Sequence, residues 1–366
     1  MKKIGTLLLL ICSIVAISQE KSSYIQADYF YGNVLGSNPD ASIFLEGHPK
    51  GFFISYNKRT NGSEDWQEHY NYPDFGYSLG FQDYNSEILG KLYSVYGHYN
   101  FYLTNRTSAN QLIFRPGIGL AYSTNPYDKV TNNKNTALGT TLNSSTYFKI
   151  YFQRENLIEN IGINAGLTFI HASNSNIKSP NSGVNVWAAT LGVSYDLVNS
   201  DEPIEYIPSS ESKEFKEPIK YNFALRGGVN ESAIINSGVK PFYVVSAYID
   251  KRLNRKSAIQ FGADLYVSPI LKTYYELNLA IPFTNLRETD SFSRVGLFIG
   301  HELFINKMSI ETQFGYYLKY PFEYDARFYE TLGLKRYFGD KWFGSVRLKV
   351  HGANAEAVEF GFGIRL

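Results

Sequence analysis

His171 and Ser173 stand two residues apart at the end of a stretch in which apolar side chains alternate with small or polar ones. The alternation from Ile163 to Phe169 is typical of a β-strand with one apolar face, and His171 and Ser173 continue the apolar row. Because residues i and i+2 of a strand point the same way, about 6.5–7 Å apart, rotation can bring the two side chains together. A His–Ser pair of general base and nucleophile is therefore geometrically possible.

Asn185 begins a second apolar row, which runs on through Trp187 to Tyr195. A hairpin through residues 174–184 would place Asn185 in one patch with His171 and Ser173. If the chain is a membrane barrel whose eight strands run up and down from an N-terminus in the periplasm, this patch lies at the outer-leaflet end of the strands. Spacing alone also fits a simpler interpretation, in which these are polar residues where the strands leave the hydrocarbon.

The strands that would position this patch are visible as alternating polarity along most of the chain, for example over 75–82, 260–267 and 310–319. The composition agrees, since 30 Tyr, 26 Phe and 30 Gly against two Met favour strands over helices. No window after residue 18 could form a transmembrane helix, so a membrane location requires a barrel of strands. The predicted strands lie near 24–35, 50–60, 75–84, 89–104, 110–123, 143–153, 161–173 and 184–197, with eight more plausible after residue 220, although 270–293 is difficult to assign.

The predicted fold class is therefore all-β, a membrane-spanning antiparallel up-and-down β-barrel. Two tandem eight-stranded barrels and one 16-stranded barrel both satisfy the strand count. The two halves end alike, since a histidine, two small residues and an asparagine follow one another at residues 171–174 and at residues 351–354, which suggests a diverged duplication. A soluble periplasmic β-sandwich is a third, weaker alternative.

The N-terminus has the form of a cleavable signal peptide over residues 1–18, with Lys2 and Lys3 before an apolar run and small residues at its end. Export to the outer membrane is the predicted localisation. The rest divides into a barrel with the candidate site over 19–200, a proline-containing polar linker over 201–220 and a second barrel-like half over 221–366.

Several function classes are excluded by composition and motifs. The formal net charge of +1 argues against a nucleic-acid partner. The single cysteine, Cys12, lies in the leader, so the mature chain has no disulfide and no cysteine-ligated metal. None of H-E-x-x-H, a phosphate-binding loop or a dinucleotide fingerprint occurs, and no cofactor or metal is expected.

His351 in the second half has a different phase from His171. Its strand has an apolar row at Val346, Leu348 and Val350, which leaves His351 on the opposite face with no serine two residues on. We predict a charge network inside a barrel, made by Arg347, Lys349, His351, Glu359 and Arg365.

The segment around the candidate pair resembles a known family. His171-Ala172-Ser173-Asn174 followed by Pro180-Asn181-Ser182-Gly183-Val184-Asn185 is similar to the motif of the outer-membrane lipid A 3-O-deacylase (PagL) family, in which H-x-S-N precedes a P-N-x-G turn and the last strand. The resemblance covers about residues 24–197. It implies a carboxylic ester hydrolase that faces membrane lipids, acts on lipid A of outer-leaflet lipopolysaccharide and needs no cofactor.

Carried over position by position, the resemblance implies Ser173 as nucleophile, His171 as general base, Asn174 as a contributor to the oxyanion hole and Asn181 as a residue that supports the turn. Asn185 departs from the family, whose motif has an acidic residue there. An asparagine can orient the histidine but brings no negative charge, and in a serine triad the analogous loss can cost about 10⁴ in turnover. The rival prediction is a non-enzymatic outer-membrane barrel, either a channel or a structural or adhesive surface protein.

Overall fold

The structure is a computed structural model, and it describes residues 23–35, 47–197, 204–210, 214–279, 291–352 and 354–366. The signal peptide predicted over residues 1–18 lies outside these ranges. So do residues 198–203 and 211–213, which include part of the predicted linker. No helix of the described chain is both long enough and apolar enough to cross a membrane.

Eight antiparallel strands close into the first barrel, each paired with its neighbours in sequence and β1 paired with β8. Buried and exposed residues alternate along them, so one face of each strand points into the barrel and the other points outward. A short helix, α1 (Asp65–His69), lies between β2 and β3. The strands are β1 (Ser23–Val34), β2 (Lys50–Lys58), β3 (Asp74–Asp83), β4 (Lys91–Tyr102), β5 (Asn110–Ser123), β6 (Leu142–Ile158), β7 (Ile161–Ser173) and β8 (Val184–Asp196).

Polar side chains fill the interior of the first barrel. Arg115 donates from Nη2 to Gln26 Oε1 at 2.8 Å and to the Tyr151 hydroxyl at 3.0 Å. Lys149 Nζ lies 2.9 Å from Asp28 Oδ2, and both side chains are almost fully buried. These buried charged side chains have hydrogen-bond or ion-pair partners, and those partners offset part of the cost of removing the charges from water.

A second closed barrel follows, with the same antiparallel order and with β16 paired back to β9. A helix, α2 (Ile270–Leu279), lies in the segment that the alternation pattern left unassigned. The strands are β9 (Lys220–Asn230), β10 (Lys240–Arg252), β11 (Ser257–Val267), β12 (Ser293–Ile305), β13 (Met308–Lys319), β14 (Phe328–Phe338), β15 (Trp342–His351) and β16 (Asn354–Arg365).

The interior of the second barrel contains the predicted charge network. Arg347 Nη2 lies 2.6 Å from Glu359 Oε2 and Arg365 Nη2 lies 2.7 Å from Asp250 Oδ1. The five residues predicted for this network are all buried: Arg347, Lys349, His351, Glu359 and Arg365. The different phase of the His351 strand is therefore confirmed.

The predicted fold class is confirmed, and of the two barrel arrangements the chain adopts the tandem one. Closed barrels also exclude the β-sandwich. Each of the eight strands predicted in the first half exists, and the largest difference is β6, which continues to Ile158 rather than ending near residue 153.

Within the described residues, the chain forms two compact units. The first contains the described residues of 23–125, 144–172 and 184–210. The second contains the described residues of 126–143, 173–183 and 211–366. The second unit thus combines the C-terminal barrel with two segments that connect strands of the first half of the sequence.

The part of the predicted linker that the structure describes within the first unit is bonded to the chain near α1. The Ile207 backbone N–H donates to the Asn61 carbonyl at 2.8 Å. Ser209 Oγ donates to Asp65 Oδ1, also at 2.8 Å. Residues 204–210 are therefore held by specific hydrogen bonds, which their polar composition did not indicate.

Candidate active site

The β7–β8 hairpin positions His171 and Asn185. The two residues are direct partners in the antiparallel ladder, since His171 pairs with Asn185 and Ile170 with Val186. Their rows point out of the barrel, because Leu167 and Trp187 further along them are about half exposed. The outward face predicted from the alternation is the face on which the structure places His171 and Asn185.

A hydrogen bond joins these two side chains, with His171 Nδ1 2.7 Å from Asn185 Oδ1. Because an amide oxygen only accepts, Nδ1 carries the proton in this pairing and Nε2 holds the lone pair. The backbone is fixed as well, since Ser145 Oγ on β6 donates to the His171 carbonyl at 2.9 Å. The imidazole is thus held in the tautomer that a general base acting through Nε2 requires.

Ser173 is the last residue of β7 and is only 6% exposed. The ladder with β8 ends one residue earlier, where Ala172 pairs with Val184. Ser173 therefore lies where the regular strand gives way to the turn 174–183.

Asn174 and Asn181 are brought together inside this turn. The Asn174 backbone N–H donates to Asn181 Oδ1 at 2.7 Å, and Asn174 Nδ2 donates to the Lys178 carbonyl at the same distance. Asn174 and Asn181, the two residues predicted to support the site, therefore form hydrogen bonds within the turn that follows Ser173. Ser175 and Asn176 have positive φ angles of 54° and 66°, a conformation that costs most residues about 1–2 kcal/mol.

The segment Pro126–Asn143 of the same unit packs against this turn. The Ser182 and Gly183 backbone N–H groups donate to the carbonyls of Thr136 and Ala137, at 3.2 and 3.0 Å. Gly139 fits only because it has no side chain, since an added Cβ would lie 2.3 Å from the Pro180 carbonyl oxygen. A segment distant in sequence thus fixes the path of the turn.

The structure places every predicted site residue at the end of this hairpin. It joins His171 to Asn185 and Asn174 to Asn181 by direct hydrogen bonds. Sequence reasoning missed Ser145, Lys178 and Gly139. Ser145 bonds to the backbone carbonyl of His171 and Lys178 bonds through its own carbonyl, and such backbone contacts leave no signature in the side-chain pattern. A glycine in a polar segment is a weak signal on its own.

His351 is arranged differently. Its Nδ1 lies 2.8 Å from the Phe328 carbonyl and its Nε2 lies 2.6 Å from Glu356 Oε2, so both ring nitrogens face acceptors inside the barrel. An outward-facing substrate cannot reach either nitrogen. In the described part of the chain, no group of three or more His, Cys, Asp or Glu residues is arranged to hold a metal ion.

Two family models match the chain. Residues 50–194 match the family described as lipid A 3-O-deacylase (PagL), and residues 219–366 match the one described as acyloxyacyl hydrolase, C-terminal domain. No curated protein matches.

Among solved structures, the outer membrane enzyme PagL is 16% identical over 46% of this chain and 97% of its own, with a TM-score of 0.32. A triple mutant of Rhodopseudomonas blastica porin is 9% identical over 94% of this chain and 99% of its own, with a TM-score of 0.17.

Proposed function

Residues 50–194 belong to the lipid A 3-O-deacylase (PagL) family, and on this premise we propose that the protein is an outer-membrane esterase that removes the 3-O-linked acyl chain of lipid A. The observation that carries the proposal is the His171–Asn185 hydrogen bond on the outward face of the barrel, two residues along β7 from Ser173. An outward site suits this substrate, because the ester can approach sideways from the outer leaflet.

We further propose that export uses a cleavable signal peptide at residues 1–18. The catalytic barrel then extends over 19–200, with a linker over 201–220 and the second barrel beyond it. The strand order supports the placement in the membrane: from a periplasmic N-terminus the seventh strand of an up-and-down barrel runs outward, so that β7 ends at the outer leaflet.

In the proposed reaction, Ser173 Oγ attacks the ester carbonyl while His171 Nε2 takes its proton. The tetrahedral intermediate collapses, and His171 returns the proton to the departing 3-hydroxyl of lipid A. Water, deprotonated by His171, then attacks the acyl-serine ester. As this second intermediate collapses, His171 gives the proton to Ser173 Oγ and the fatty acid is released. Asn185 keeps the imidazole in the required tautomer throughout.

The oxyanion needs hydrogen-bond donors, and Asn174 is the proposed side-chain donor. Its Nδ2 has two hydrogens, one of which is used in the bond to the Lys178 carbonyl. The other can donate to the oxyanion, and such a donor typically contributes 10²–10³ in turnover. Asn181 supports this role by fixing the Asn174 backbone.

Mass spectrometry of lipid A tests the proposal directly. Cells that make the protein are expected to contain lipid A lighter by one 3-O-linked acyl chain, with the free fatty acid released in equal amount. Cells with the empty vector provide the control. Unchanged lipid A, with the protein folded in the outer membrane by heat-modifiable gel mobility, would contradict the proposal.

The channel alternative makes a separate prediction. The barrel interiors are occupied by buried charged side chains, among them Arg115 and Lys149 in the first and Arg347 in the second. Because these groups are paired inside the barrels, we expect the purified protein to give no single-channel current steps in planar bilayers. Regular ohmic steps, together with unchanged lipid A, would favour a channel.

A further inference from the structure

Glu231 is a buried carboxylate in the second compact unit, just after the end of β9. It is only 2% exposed. Its Oε2 accepts the backbone N–H of Ser179 and its Oε1 accepts that of Gly238, both at 2.8 Å. Hydrogen bonds to a charged acceptor are the stronger kind, so this carboxylate is a firm anchor for residue 179.

The backbone around Glu231 holds the same turn by further hydrogen bonds, at Asn176 and again at Ser179. The Glu231 N–H donates to the Asn176 carbonyl at 3.2 Å, and Asn176 Nδ2 donates to the Glu231 carbonyl at 3.0 Å. Ser179 Oγ donates to the Ser232 carbonyl at 2.7 Å. The turn 174–183 is thus clamped at 176 and at 179.

This clamp acts on a backbone that needs support. Ser175 and Asn176 lie in the left-handed region. A serine adopts this backbone conformation at a cost in free energy, which contacts with the surrounding structure must offset. Asn174, directly before them, is the first residue after Ser173 and bonds across the turn to Asn181. A shift of residues 176–179 would therefore move Asn174 and the end of the strand at Ser173.

We propose that Glu231 is a positioning residue for acyl transfer. Through the turn 174–183, it holds Ser173 and the Asn174 amide where the reaction requires them. The inference rests on the proposed function and deepens it, because it gives a loop of the C-terminal barrel a part in the reaction.

The test compares Glu231→Ala and Glu231→Gln with the wild-type full chain in detergent–lipid A mixed micelles. The Ala variant loses both hydrogen bonds, and the Gln variant keeps one acceptor oxygen. We expect kcat to fall about 10- to 100-fold in Glu231→Ala, as for a displacement of about 1 Å, and less in Glu231→Gln, with KM unchanged in both. Glu217→Gln is the matched control: that carboxylate lies in the same unit, bonded to Arg365 at 2.8 Å, and should leave kcat at the wild-type value.

Hydrogen exchange provides a second readout that does not depend on activity. Peptides covering 174–183 are expected to exchange faster in Glu231→Ala than in the wild type and in Glu217→Gln. A folded Glu231→Ala variant with wild-type kcat overturns the positioning role while the proposed function stands. If the wild type releases no fatty acid, the proposed function fails, and wild-type exchange rates in Glu231→Ala would then show that Glu231 does not hold the turn.

Discussion

The Ser173→Ala variant is expected to leave lipid A fully acylated. Without the hydroxyl there is no acyl-serine intermediate, and His171 has no nucleophile to deprotonate, so turnover should fall by about 10³- to 10⁶-fold. Release of fatty acid from purified lipid A by the two proteins, at equal amounts of folded enzyme, measures the effect.

Ser194→Ala is the matched control for this variant. Ser194 lies on β8 of the same barrel but is buried on its inward face. It should keep wild-type activity and heat-modifiable mobility. If Ser173→Ala keeps more than about a tenth of the wild-type rate, then Ser173 is not the nucleophile and the proposed mechanism is wrong.

Much of the fold could be predicted because alternation is a local property of each strand. In β8, the exposed residues from Trp187 to Tyr195 occupy every second position, and this pattern fixes both the strand and its outward face. The closure of the strands into barrels could not be predicted from this local pattern. Whether 16 strands make one barrel or two depends on which distant edges pair, here β1 with β8 and β9 with β16.

The candidate site likewise has one part that the local sequence predicts and one part that it does not. His171 and Asn185 could be predicted together because a hairpin brings residues close in sequence into direct ladder pairing. The contacts that shape the turn could not, because Glu231 and Gly139 reach it from sequence separations that local patterns do not encode. The helix α2 was missed for a related reason, since its own Tyr275 packs against Phe322, a residue distant in sequence.

Asn185→Asp is expected to increase the rate of deacylation. Asn185 accepts from His171 Nδ1 at 2.7 Å, so an aspartate at this position can form the same bond and add a negative charge. That charge stabilises the imidazolium formed when His171 takes the serine proton. The reverse change in a serine triad costs about 10⁴ in turnover, and we expect a gain of about 10- to 100-fold in kcat for a site that has not otherwise adapted to the charge. Fatty-acid release under saturating lipid A measures it.

The Asn185→Ala variant tests the orientation of His171 by residue 185 separately from the effect of a negative charge at that position. It removes the bond to Nδ1 without adding a charge, so its kcat should fall below that of the wild type while Asn185→Asp rises above it. Such opposite changes from one position would mean that the wild-type asparagine orients His171 but leaves the developing positive charge unopposed. If Asn185→Asp is folded and no faster than the wild type, then either the charge is already supplied by another group or His171 does not become charged during the reaction. Either result would overturn the expectation that a charge at residue 185 speeds the reaction, and a wild-type kcat in Asn185→Ala would overturn the orienting role of Asn185.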